Sequence, residues 1–147
     1  MRKVNTVRFG EIEVDEEKIL RFKEGIPAFE DEHEFLLIPY EEESPILFMQ
    51  SLKSPDLAFL VTSPFIFFPD YSFEIDDEIT EDLEVNSRDD LVIYSILTVP
   101  NGEVKRMTAN LMAPVVINGK NMLAKQVVLD KSPYQTKHAL FEQKEGE

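Results

Sequence analysis

The stretch Met107-Thr108-Ala109-Asn110-Leu111-Met112-Ala113-Pro114-Val115-Val116-Ile117-Asn118-Gly119-Lys120-Asn121-Met122 carries most of the strand logic of this chain. Met107, Ala109 and Leu111 alternate with Arg106, Thr108 and Asn110. That period of two gives a strand one buried and one wet face. Pro114 lacks a ladder donor, so it stops or bends the strand, or takes a sheet edge. The β-branched run Val115 to Ile117 restarts it, and Asn118-Gly119 offers positive φ for a tight turn. A further apolar run, 122–129, then returns. The pattern predicts strand, bend, strand, turn, strand, at the heart of a small antiparallel β domain.

The flanking chain repeats the theme. Val7 and Phe9 alternate with polar neighbours, as do Ile12 and Val14, with a parity shift at Gly10-Glu11 that predicts a β-bulge or a tight turn. Ile19 to Phe22, Phe35 to Ile38, Ile46 to Gln50 and Leu57 to Thr62 are compact apolar runs, bounded mostly by Pro, Gly and acids. Gly25 to Phe29 is a loop, and Phe29 to Glu34 has room for one helical turn with Phe29 and His33 inward. Leu91 to Val99, apolar on both faces at most positions, is the longest strand and is placed centrally. Pro100-Asn101-Gly102-Glu103 then turns the chain. Ile75, Ile79 and Leu83, four residues apart, mark one short helix within 76–85, with Asp76 or Asp77 at its cap. Many short strands without a long helical pattern imply a mainly β, barrel-like or sandwich domain. The predicted domain covers residues 1–135. Residues 136–147 form a polar C-terminal tail, docked loosely by Tyr134, His138 and Phe141 and frayed at its end.

The composition suits a globular fold: 147 residues, 43% hydrophobic, eleven Phe and no cysteine. Disulfides and thiolate chemistry are therefore excluded. The N-terminus lacks an apolar signal core and no apolar run is long enough to span a membrane, so the chain reads as a cytosolic protein without membrane contact. The net charge is -14. Its excess sits in two blocks: residues 11–43 hold thirteen acids against three bases, and residues 70–90 hold ten acids against Arg88 alone. This field repels phosphate backbones, which argues against direct nucleic-acid binding, and it speeds encounter with a basic partner. The same charge also serves solubility alone.

Catalytic signals are absent. His33 and His138 stand far apart. The acids of 76–82 lack the spacing and glycine of a calcium loop, and Gly119-Lys120-Asn121 lacks the remaining parts of a phosphate loop. No G-x-S-x-G elbow occurs. No metal or cofactor is called for, and the chain reads as a non-enzyme. One segment stands out, Ser63-Pro64-Phe65-Ile66-Phe67-Phe68-Pro69-Asp70-Tyr71, a semi-rigid aromatic loop that leads into the acidic helix. Its aromatics either plug the end of a barrel, the reading favoured for Phe65 and Phe67, or dock a protein partner, with Phe68 and Tyr71 as anchors. Asp70, Asp76 and Asp77 flank them as steering charges. Asn110 and Asn118 are reserve contacts, each an outward amide on an edge strand, or else a partner to local backbone.

Three segments together carry a family likeness. Phe22-x-x-Gly25-Ile26-Pro27-x-Phe29-Glu30, Pro64-Phe65-x-Phe67-x-Pro69-Asp70-Tyr71 and Asn110-Leu111-x-Ala113-Pro114-Val115-Val116-Ile117-Asn118 resemble, in order, the flagellar assembly factor FliW family. The likeness runs from about Val7 to about Tyr134, with Ala28 standing where a second glycine would follow the proline. The resemblance implies a small β-barrel-like fold without catalysis. It also implies two partners: the translational regulator CsrA, kept from repressing flagellin mRNA, and flagellin itself, which competes for the factor. The alternative is a generic acidic scaffold or chaperone of the same topology, and a more distant one is a hydrolase built on unpaired acids.

Overall fold

The computed structural model describes residues 1–141. The end of the expected tail, residues 142–147, lies outside the described residues. Within them are β1 (Arg2–Thr6), β2 (Gly10–Val14), β3 (Leu20–Phe22), β4 (Glu34–Pro39), β5 (Ile46–Ser51), β6 (Ala58–Thr62), α1 (Pro64–Phe67), α2 (Asp77–Asp82), β7 (Leu91–Thr98), β8 (Thr108–Ala109), β9 (Val115–Asn118), β10 (Leu123–Gln126) and β11 (His138–Ala139). The fold is mainly β. No helix among the described residues is long and apolar enough to cross a membrane.

Seven strands close on themselves in the order β7-β6-β5-β4-β3-β10-β9 and back to β7. Every pair in this ring is antiparallel except β3 with β10, which runs parallel through Arg21–Leu123 and Phe22–Ala124. β8 and β11 extend the sheet beyond the outer half of β7, so the sheet runs on past residue 135 into the expected tail. β1 and β2 form a separate hairpin.

Alternation sorts the apolar side chains into three clusters. The barrel interior holds Leu20, Phe22, Phe35, Met49, Val61, Val115 and Ile117, all nearly or fully buried. The intervening positions face outward yet are also covered. Leu36 packs under the hairpin with Val4, Val14 and Ile19, and Leu97 packs with Tyr71, Met107, Ala109 and Leu111. Both faces of β4 and β7 therefore need apolar residues. Glu34 locks the hairpin to the barrel, accepting from Arg2 Nη2 at 2.9 Å and from Arg21 Nη1 at 2.8 Å. The hydrogen bond from Arg2 is the main reason its carboxyl sits below the usual carboxylate range.

Several local expectations are corrected. The first strand ends at Thr6, so Val7 and Phe9 lie in the hairpin turn, which closes through Gly10 at φ 67°. The expected helical turn over 29–34 is absent, because the chain there forms tight turns and His33 is exposed. Two short α-helices occur where one was expected. Pro64 starts the extra one at its first position, where a missing N–H costs no hydrogen bond. In the 118–122 turn the positive φ falls on Met122, not on Gly119. Gly119 instead lies close to other backbone, where a Cβ would approach the Asp90 carbonyl oxygen to 3.2 Å and require a small shift.

The departure at Ala28 has a physical consequence. Phe29 N–H donates to the Ile26 carbonyl at 2.7 Å across Pro27-Ala28, and Ala28 has φ 72°. This is a turn with proline at its second position, whose third position favours glycine. Left-handed alanine costs about 1–2 kcal/mol, while the extra freedom of an unfolded glycine costs about 0.4–1 kcal/mol. Ala28→Gly is therefore expected to stabilise the fold by about 0.5–1 kcal/mol, read as a higher urea midpoint at unchanged slope. A lower midpoint would contradict the turn assignment.

Candidate partner-docking surface

Helix formation by Pro64–Phe67 rearranges the aromatic segment. A helical turn sends Phe65 and Ile66 outward, 42% and 58% exposed, while Phe67 and Phe68 are half-buried. The Phe67 ring meets Phe141, and Phe68 meets His138. Tyr71 is only 4% exposed, and its hydroxyl donates to the Leu111 carbonyl at 2.7 Å. Its ring lies 4.6 Å from that of Tyr134, edge to face. Burial, and secondarily the neighbouring Tyr134, raise the Tyr71 hydroxyl well above the usual phenol range. Two of the four aromatics thus differ from the sequence expectation, Tyr71 being core and Phe65 surface, while Phe67 and Phe68 are alike half-buried.

The acids lie where the sequence places them. Asp76 precedes α2 as its N-cap, by backbone geometry and without a side-chain cap bond. Ile75 and Ile79 are half-buried and Leu83 is buried, which orients the acidic side of α2 outward. Asp82 pairs with Lys125 at 2.9 Å, and Glu84 with Lys23 at 3.2 Å. The Asp82 hydrogen bond chiefly raises the Lys125 ammonium above its ordinary range. Asp70, Glu74, Asp76, Asp77 and Glu78 are exposed and make no ion pair among the described residues. Their charge is unneutralised.

The two asparagines have local partners. Asn118 is 2% exposed. Its Nδ2 donates to the Leu83 carbonyl at 2.9 Å and the Glu84 carbonyl at 3.2 Å, and its Oδ1 accepts from Lys120 N–H at 2.9 Å. It ties the end of α2 to the β9–β10 turn. Asn110 Oδ1 accepts from the N–H groups of Met112 and Ala113 at 3.1 and 3.0 Å, which shapes the bend ahead of Pro114. Asn118 is committed through both ends of its amide and Asn110 through its Oδ1, because strand ends beside bends leave backbone donors that a nearby side chain satisfies.

Sequence reasoning missed an apolar groove of about 490 Å³ on the outer face of β5 and β6. Tyr40, Ile46, Phe48, Leu60 and Val104 line it, with the Arg8 guanidinium 4.9 Å above the Phe48 ring. The available signal was parity: Met49 and Val61 fill the barrel, so Phe48 and Leu60, paired across β5 and β6, must lie on the other face. A hollow of about 370 Å³ lies beside α1, lined by Phe65, Phe73, Ile75, Arg88, Leu91 and Ile93. Among the described residues no group of three or more His, Asp or Glu is placed to hold a metal. Buried Glu32 is engaged by the hydroxyls of Ser51 and Ser54. The arrangement is equipped for docking: exposed aromatic and aliphatic residues next to uncompensated acids.

Comparison with known proteins places this geometry. A family model described as FliW protein matches residues 3–140. A flagellar assembly factor FliW of Bacillus pumilus is 45% identical over 137 residues, covering 93% of this chain and 94% of that protein. One from Bacillus subtilis is 43% identical, covering 93% and 95%. A crystal structure of a flagellar assembly factor FliW superposes with a TM-score of 0.89 at 41% identity, covering 97% of this chain and 99% of the other.

The two kinds of residue should separate by stability. Asn118→Ala leaves the Glu84 carbonyl and the Lys120 N–H without their partner and removes one of two donors to the Leu83 carbonyl, which keeps Asn121 Nδ2 at 3.1 Å, and it is expected to cost about 1–2 kcal/mol. Tyr71→Phe strands the Leu111 carbonyl and should cost about 1–2 kcal/mol. Phe65→Ser and the double change Asp76→Asn, Asp77→Asn should stay within about 0.5 kcal/mol of wild type. Urea titrations check all four, and an equal loss across them would contradict the division into support and surface.

Proposed function

This chain belongs to the FliW family, and from that premise we propose that it serves as a flagellar assembly factor working by exchange between two protein partners. In this reading it binds the translational regulator CsrA, relieves repression of flagellin mRNA, and gives CsrA up when flagellin occupies it. No step is enzymatic and no cofactor takes part. The supporting observation is the block of unpaired acids at Glu74, Asp76, Asp77 and Glu78 around Ile75, which shares a hollow with the exposed Phe65. An RNA-binding regulator is basic where it meets phosphate, and this surface complements such a protein. Phe65 and Ile66 take the part of anchors, with Asp70, Asp76 and Asp77 steering the approach. Phe67, Phe68, Tyr71 and Asn118 support that surface from behind, and Asn110 shapes the bend ahead of Pro114.

The acids need not imitate RNA. Bound beside the RNA path, they lower its affinity by repulsion wherever the separation is within the Debye length, about 8 Å near physiological salt. Antagonism of that kind is reciprocal: RNA must weaken the binding of this protein to CsrA by the same factor, and a ternary complex forms. Simple occlusion of the RNA site gives no ternary complex.

The test uses purified protein, CsrA, flagellin and labelled flagellin leader RNA. This protein should weaken RNA binding by CsrA, flagellin should restore it, and this protein alone should shift no RNA at moderate salt. Asp76→Asn with Asp77→Asn should slow association with CsrA and flatten its salt dependence, leaving dissociation nearly unchanged. Direct RNA binding, or indifference of the CsrA complex to flagellin, would overturn the proposal. Failure to bind either protein would leave the generic scaffold reading.

A further inference from the structure

Main-chain parity in β7 leaves half of one strand edge open. Gly119 N–H donates to the Asp90 carbonyl at 2.8 Å, and Asn110 N–H to the Ile96 carbonyl at 2.9 Å. Even-numbered positions therefore direct their main-chain groups toward β9 and β8, and odd-numbered ones toward the opposite side. On that side β6 meets β7 at Ser95 and Leu97, through Thr62 and Leu60. β6 then stops, because Pro64 turns the chain into α1. Beyond Ser95, Leu91 to Tyr94 pair with β9 alone. The Leu91 N–H is used by the Arg88 carbonyl. The Leu91 carbonyl and both main-chain groups of Ile93 remain without a hydrogen-bond partner among the described residues.

We propose that this half-edge receives an extended segment of a basic partner protein, added antiparallel to β7 in line with β6. The proposal deepens the docking reading above and rests on it. A carbonyl, an N–H and a second carbonyl at strand spacing match a peptide backbone and are the usual template for strand addition. The hollow beside them, walled by Phe65, Phe73 and Ile75, takes apolar side chains from alternate positions of the incoming segment. The partner is basic because Glu74, Asp76 and Asp89, the chain neighbours of the lining residues Phe73, Ile75 and Arg88, are all exposed, and Asp77 follows Asp76. The one cation in its wall, Arg88, is already directed to the Ile75 carbonyl at 3.2 Å. Backbone pairing supplies the geometry, and charge selects the segment.

The probe is an acetylated and amidated octapeptide of alternating lysine and valine, titrated into the full chain by NMR. Its binding should shift the Ile93 amide and slow exchange of that amide at least tenfold. In parallel, Ile93→Pro removes an N–H that points away from β9 and so breaks no ladder bond in the barrel. It should weaken CsrA binding tenfold or more, and so should Phe65→Ser, which trims an exposed wall of the hollow. Val104→Glu, in the separate β5–β6 groove, should leave binding unchanged. Melting curves establish that each variant is folded, and Phe65→Ser carries the test if the proline variant is not. An Ile93 amide unmoved by the peptide, or wild-type CsrA affinity in folded Ile93→Pro and Phe65→Ser, would overturn the half-edge while leaving the docking reading intact. Failure of the wild-type chain to bind either peptide or CsrA would overturn both.

Discussion

The pairing of Arg21 and Phe22 with Leu123 and Ala124 turns a curled sheet into a barrel. β3 has three residues and β10 four, yet this short parallel seam joins segments about a hundred positions apart in the chain. Without it, β3 and β10 would each present an open edge. With it, every strand of the ring has a neighbour on both sides for at least part of its length. Phe22 and Ala124, paired across the seam, both point into the interior cluster with Phe35, Met49, Val61 and Ile117. Packing inside and pairing at the seam therefore depend on each other.

Closure also explains the chemistry of the outside. A closed ring this small fills its interior with one set of alternate side chains, and the complementary set must go elsewhere. On the β4 side the hairpin covers it. On the β7 side β8, β11 and the segment around Tyr134 cover it, drawing Tyr71 inward as they do. Among the described residues the groove over Phe48 remains open, and so does the half-edge where β6 leaves β7. The second lies next to the unpaired acids that precede and begin α2. A rigid barrel thus presents apolar surface, free backbone and negative charge together, without any of them being needed to hold the fold.

Much of this was legible in the residues alone. Alternation at Met107, Ala109 and Leu111 marks buried positions correctly, and the spacing of Ile75, Ile79 and Leu83 locates α2. Strands β4, β5, β6 and β7 follow from compact apolar runs bounded by turn residues. The parallel seam was not legible, because nothing local records which distant strand a three-residue segment will meet. The aromatic segment misled for a related reason. Its two prolines suggested a loop, whereas Pro64 opens a helical turn that puts Phe65 outward while Tyr71 goes into the core. For Asn118 the sequence offers a local backbone partner ahead of an outward amide, but only α2 folded against it shows that the carbonyls are those of Leu83 and Glu84. Side-chain direction at these sites is set by tertiary partners, which single-segment patterns do not carry.

The central claim is that the ring is closed and opens only when the whole domain unfolds. Native-state hydrogen exchange at the Arg21 amide tests it most directly, since that N–H donates to the Met122 carbonyl across the seam at 2.9 Å. In a closed barrel its opening free energy should equal that of Met49, deep in β5, and both should fall with denaturant along the global unfolding slope. Exchange at Arg21 with a distinctly smaller free energy and little denaturant dependence would mean that the seam opens by itself, and that the structure is a curled sheet with two working edges.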